Sequence, residues 1–198
     1  MTSPHDPVYA VRPLEPEEDR PLATLVTQWR RKRDLPRETT QPLLAALAET
    51  GTEFVVLVDT GPNTVVGCLQ LDRRAHDSTP PGQSMLRIAA AATDPRGGYR
   101  LGFLLTLWAR HYAAQCGYTG LLCEVPLRHP TDSVAGRLAR HLQEGLGWKH
   151  AGVTKALDDS RFTVARMTTG AEIHPTLPVF VASTVPVLPV TPRQETVS

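Results

Sequence analysis

Residues 91–105, AATDPRGGYRLGFLL, carry an apolar run into a turn with Gly97 and Gly98, then into a helical pattern beginning near Gly102. A helix start leaves several backbone N–H groups without intrahelical partners, and glycines let the preceding turn bring further N–H groups to the same place. Such a site suits a phosphate or pyrophosphate. Arg96 and Arg100 could add charge-assisted contacts. The same glycines would also serve a plain strand-to-helix connection, with both arginines in water. A second concentration of charge is Arg30, Arg31, Lys32, Arg33 and Arg37. As a solvated helix end this run needs no ligand. No spacing suggests a Ser-His-Asp or Cys-His arrangement, and Cys68, Cys116 and Cys123 match neither a metal-site pattern nor a disulfide framework.

The surrounding elements must position that turn. Residues 8–13 read as a short strand. In residues 15–33, Leu22, Leu25, Val26 and Trp29 fall at i, i+3, i+4 and i+7, one helical face. Leu35-Pro36 ends that helix, and a second is expected over residues 39–49. Residues 53–59 and 64–72 are β-rich runs joined through Gly61-Pro62-Asn63, a hairpin. Residues 85–93 are short and stop at Asp94-Pro95, which favours a strand. A helix follows from about Leu101 to Cys116-Gly117, with Leu101, Leu105, Trp108 and Tyr112 as its buried stripe. Residues 121–125 form a fifth strand, 131–146 a helix capped by Asp132 or Ser133, and 148–155 and 162–168 two closing strands. The order predicts an α/β (α+β) fold, a mixed sheet with helices on its faces.

The totals narrow the class. The chain has 198 residues, enough for one sizeable domain, and a formal net charge of +1. That balance gives no reason to expect nucleic acid or an anionic membrane as partner. Met1–Ala10 lacks the basic-then-apolar pattern of a signal peptide, and residues 178–190 are too short and too proline-rich to span a bilayer. A cytoplasmic protein with reduced thiols is expected.

The element order and the 91–105 segment resemble the GNAT superfamily of acyl-CoA-dependent N-acetyltransferases. That family's motif is a strand, then Arg/Gln-x-x-Gly-x-Gly/Ala, then a helix with leucines in its first turn. Gly102 matches the last small residue, Gly98 a frequent glycine, Leu105 the start of the leucines, and Ala92 the strand position whose backbone meets the cofactor. The run 142–148, LQEGLGW, resembles the family's helix end before its sixth strand. The likeness covers about residues 9–169. There are two departures. Gly97 stands where the Arg/Gln is expected and Arg100 where the middle glycine is expected. The tyrosine that often protonates the departing thiolate would fall near Gln143, where the sequence has none.

The resemblance implies a mostly antiparallel sheet of about seven strands with about four helices over residues 1–170, followed by a Pro/Val-rich extension, 171–198. It implies acetyl-CoA as co-substrate, no metal, and direct attack by an amine on the thioester. It places the cofactor at Ala90, Ala92, Thr93, Gly97, Gly98, Tyr99, Arg100, Leu101, Gly102 and Phe103, with an oxyanion-binding N–H near Ala90–Ala92. Glu124 is the first candidate for the base and His141 the second. Glu124 could equally be an outward charge at a strand end, and His141 a solvated helix residue. The arginine cluster would border the acceptor site, selecting an acidic acceptor or clamping a cofactor phosphate. The partner implied is a small-molecule or protein amine, and a homodimer is compatible with the fold. An acyl-CoA-binding sensor without turnover is the alternative. A third reading is an interaction protein whose residues 178–190 add a strand to its own sheet or to a partner's.

Overall fold

In the computed structural model, residues 7–33, 45, 47, 53–73, 83–127, 138–156 and 163–190 are described. β1 (Tyr9–Pro13) leads into a 3-10 turn, Pro16–Glu18, and then α1 (Asp19–Lys32). Glu15 and Glu18 form a reciprocal cap there, and Arg12 grips Glu18 at 2.6 and 2.7 Å. β2 (Glu53–Asp59) and β3 (Thr64–Asp72) form the expected hairpin, with Asn63 at φ 51° in its turn. β4 (Met85–Thr93), α2 (Gly98–Gln115) and β5 (Gly120–Pro126) follow. A π-helical turn, His141–Gly145, precedes β6 (Lys149–Lys155) and β7 (Thr163–Gly170). Of the helix expected over 39–49 only Ala45 and Leu47 are described, both helical, and most of 131–146 also falls outside the described residues.

The sheet has eight strands in the order β6-β7-β5-β4-β3-β2-β1-β8, one more than expected. The extra strand is β8 (Val181–Ser183), which pairs parallel with β1. Residues 178–190 thus take the self-pairing alternative. Leu177, Val181 and Val185 are buried beside α2, and the Val190 amide donates to the Cys116 carbonyl at 2.9 Å.

Strand alternation divides the apolar residues between two faces. On the α2 face, Leu69, Leu71, Leu86, Ile88, Leu121 and Val125 pack with Leu101, Leu105, Trp108 and Tyr112. On the α1 face, Phe54, Val56, Val58, Cys68 and Ala92 pack with Leu22, Val26 and Trp29. No described helix is long and apolar enough to cross a membrane.

Candidate functional site

β4 and β5 are parallel, and their pairing runs from Met85↔Gly120 to Ile88↔Cys123, then stops. Both strands continue, β4 to Thr93 and β5 to Pro126. The sheet is therefore split beyond Ile88 and Cys123. A register shift between Gln70 and Leu71 leaves Ala89 as the extra residue of β4 at that vertex. Past it, alternate residues of 89–93 direct their N–H groups toward the missing neighbour, since β3 pairs with only one edge of the strand. Ala89 and Ala90 are half-buried and Ala91 is exposed, so the split is lined by small side chains. Five residues at about 3.3 Å each make the open edge roughly 16 Å long.

The split ends at the start of α2. Asp94 caps a 3-10 turn, Pro95–Gly97, by accepting the Arg96 amide at 2.9 Å. The Gly97 amide donates to the Asp94 carbonyl at 3.2 Å and the Gly98 amide to the Pro95 carbonyl. These bonds take the Gly97 and Gly98 amides out of the set of N–H groups expected to meet a ligand at this turn. Tyr99 and Arg100 supply the N–H groups without a partner inside the helix. The helix also starts at Gly98, three residues before the expected Leu101. The chain swings into it at Gly98 with φ +58°, a conformation L side chains resist. A Cβ at Gly98 or Gly102 would meet nothing within 4 Å, so open space lies over both. At Gly97 a Cβ would come within 2.2 Å of Leu101, which needs that room to enter the core.

Of the two arginines expected to meet phosphate, Arg96 is occupied. Arg96 reaches back to Asp94 at 2.6 Å, and this holds the Asp94 carboxyl below its ordinary value. Tyr99, Arg100 and Phe103 are exposed, whereas Leu101 is buried and offers only its backbone. Thr93 is buried, and its hydroxyl accepts Arg33 Nη2 at 3.0 Å. One arginine of the basic cluster thus crosses from the end of α1 to the end of β4.

His141 lies against Tyr99, ring centroids 4.8 Å apart. A tyrosine does come near this turn, from α2 rather than from the neighbourhood of Gln143. Burial, and then the charge of Arg33, lower the pKa of His141 below 6.5. Gly145 makes room for that imidazole, since a Cβ there would approach Nδ1 to 2.9 Å.

Glu124 follows Cys123, the last residue of β5 paired with β4, at the vertex. Its side chain is 6% exposed and sits 3.1 Å from Arg87 and 3.5 Å from Arg166. Arg87 in turn is 3.3 Å from Asp72. The register sets Asp72 opposite Arg87 and Glu124 opposite Arg166. Four alternating charges therefore cross β3, β4, β5 and β7 on the α1 face, beneath the vertex. The outward strand-end charge considered for Glu124 is corrected by this buried row. Sequence reasoning missed Asp72, Arg87 and Arg166 as its partners, although a charge inside each β-rich run was the available signal.

The cysteines are unbridged, and burial pushes the Cys68 and Cys123 thiols up to about 12. Among the described residues no group of three or more His, Cys, Asp or Glu side chains could hold a metal.

No family model and no curated protein matches the sequence. Solved structures do match the fold. A GNAT-family structure from Desulfovibrio desulfuricans superposes with a TM-score of 0.58 at 17% identity, over 83% of this chain and 99% of that one. The aminoglycoside 6'-N-acetyltransferase from Enterococcus faecium gives 0.54 at 15% identity, over 83% and 98%. The dodecameric spermidine N-acetyltransferase from Vibrio cholerae gives 0.52 at 16%, over 83% and 94%. The chain has the GNAT fold.

Proposed function

We propose that this chain is an N-acyltransferase carrying an acetyl or other acyl group from acyl-CoA to an amine. The carrying observation is the split sheet: an unpaired strand edge that leads from a buried carboxylate to an open helix start. The fold's solved relatives include enzymes named for amine acetylation, which supports the same reading.

In this mechanism the cofactor's acyl arm pairs with the free edge of residues 89–93, and its phosphates meet the first turn of α2. The amine attacks the thioester carbonyl, and the C–N bond forms as the oxygen becomes an oxyanion. An N–H from Ala90–Ala92 stabilises that charge. Collapse of the intermediate expels the thiolate. Glu124, at the vertex, takes the ammonium proton through water, while Arg87 and Arg166 fix its carboxylate. His141 and Tyr99 stand at the other end of the split, beside the helix start. The acceptor is a small-molecule or protein amine, and the three free thiols suit a reducing, cytoplasmic setting. Arg96, diverted to Asp94, favours the second reading, a protein that binds acyl-CoA without turnover.

Acetyl-CoA is expected to raise the melting temperature of the full chain, and thiol release over a panel of amines separates enzyme from sensor. If no acyl-CoA shifts the melting point, both readings fall. Glu124→Gln is expected to slow thiol release about a hundredfold or more. Unchanged turnover would remove Glu124 from the mechanism.

A further inference from the structure

We infer that Arg33, with Arg30 one turn behind it, is an oxyanion-binding arm at the open end of the split. A cavity of about 30 Å³ lies between the end of α1 and the end of β4, lined by Trp29, Arg30, Arg33, Ala91, Ala92 and Thr93. It has room for one or two water-sized atoms, the space that the oxygens of a single phosphoryl or carboxylate group need. Two cations share it, and burial lowers the pKa of both, with the charge of Arg33 further lowering that of Arg30.

The dipole of α1 accounts for a basic run at its C-terminus. It does not account for the path of Arg33, which crosses to a hydroxyl 60 residues away at the end of the unpaired strand. Among the described residues no carboxylate lies within ion-pair distance of Arg33. Asp94, the nearby acid, is drawn to Arg96 at 2.6 Å. The charge of Arg33 also reaches Tyr99 and His141, so the arm stands beside the first turn of α2. A cation is thus supplied from the far side of the sheet, beside a turn whose Arg96 is committed to Asp94. An incoming oxyanion would form charge-assisted bonds with Arg33.

The inference rests on the acyl-CoA reading only for the source of that oxyanion, either a phosphoryl group of the cofactor or an acidic group on the acceptor. The test uses the full chain and its Arg33→Gln and Arg33→Lys variants. Calorimetry follows pyrophosphate, CoA, pantetheine, and L-glutamate added in the presence of CoA. If the source is the cofactor, Arg33→Gln weakens pyrophosphate and CoA about ten- to a hundredfold, leaves pantetheine unchanged, and Arg33→Lys recovers part of the loss. If the source is the acceptor, CoA binds the variant normally and glutamate binding is lost. Pyrophosphate binding that depends on Arg33, with no CoA binding at all, upholds the arm and rejects the acyl-CoA reading. Four ligands binding Arg33→Gln as they bind the parent chain, or none binding the parent, overturns the inference.

Discussion

The two faces of the sheet are built on different principles. Against α2 the strands present an apolar surface that continues without interruption from Val11 to Met167 and is closed by the tail at Leu177, Val181 and Val185. Against α1 the same strands carry a smaller apolar patch, then four charges in a row, then the arginine-lined cavity. Because successive residues of a strand point to opposite faces, β4 serves both. Leu86 and Ile88 join the core while Arg87, between them, joins the row. The lesson is that the stable face does not need the polar one to be apolar, and the split opens where the polar one begins.

The largest effect that would break this contrast comes from the α2 face. Trp108 is 2% exposed and stacks on Tyr112 at 4.9 Å, with the Ser183 hydroxyl 3.3 Å from its indole nitrogen. Trp108→Ala is expected to cost about 3–5 kcal/mol in urea unfolding. A loss below about 1 kcal/mol would mean that the tail and helix do not seal one core. The row gives the next test. Arg87→Met removes the cation between Asp72 and Glu124 and is expected to cost about 3 kcal/mol or more. Adding Asp72→Leu, Glu124→Met and Arg166→Met in the same chain is expected to recover most of that loss, since an apolar set of similar volume needs no compensating charge. If the quadruple variant is no more stable than Arg87→Met, the row is contributing packing rather than paired charge.

These contrasts were unevenly legible in the sequence. The hairpin at residues 53–72 and the buried stripe Leu101, Leu105, Trp108 and Tyr112 follow from local periodicity, which the fold leaves intact. The start of α2 was displaced because Gly98 adopts a positive φ and the turn before it satisfies its own amides, neither of which periodicity records. The site's other contacts are long-range. Arg33 meets Thr93, Tyr99 meets His141, and Glu124 meets Arg87 only after four elements have been stacked in register. The eighth strand required choosing between this chain's own edge and a partner's, and the valines of 181–185 read the same for either.

A smaller perturbation sharpens the role of the tail. The Tyr112 hydroxyl receives a hydrogen bond from Arg73 and donates to the Pro186 carbonyl at 2.7 Å, while Arg73 is held by Glu53 at 2.6 and 2.8 Å. Tyr112→Phe keeps the ring and removes only these bonds. It is expected to lower stability by about 1–2 kcal/mol, or roughly 2–8 °C in melting temperature for a chain of this size. Acyl-CoA affinity should not change, because these bonds join Arg73, just past β3, and α2 to the tail on the face away from the cavity. A loss of affinity equal to that of an Arg33 variant would erase the distinction between the faces.

The smallest expected effect is a pH dependence at the beginning of the tail. The His174 amide donates to His111 Nδ1 at 3.0 Å, so that nitrogen must carry no proton. Arg110 binds Glu172 and the Gly170 carbonyl in the same stretch. Burial, and then the neighbouring His174, lower the pKa of His111 below 6.5. A proton therefore binds His111 more readily when the tail is released than when it is docked. Docking is favoured above 6.5, and the advantage disappears as pH falls through the depressed value. Losing the bond should cost about 1 kcal/mol, or some 2–4 °C, between about pH 7.5 and pH 5. The melting temperature of His111→Gln, measured over the same range, should lack that component while keeping the acid sensitivity of the carboxylates. Equal slopes for the two chains would mean that His111 titrates alike in both states and plays no part in holding the tail.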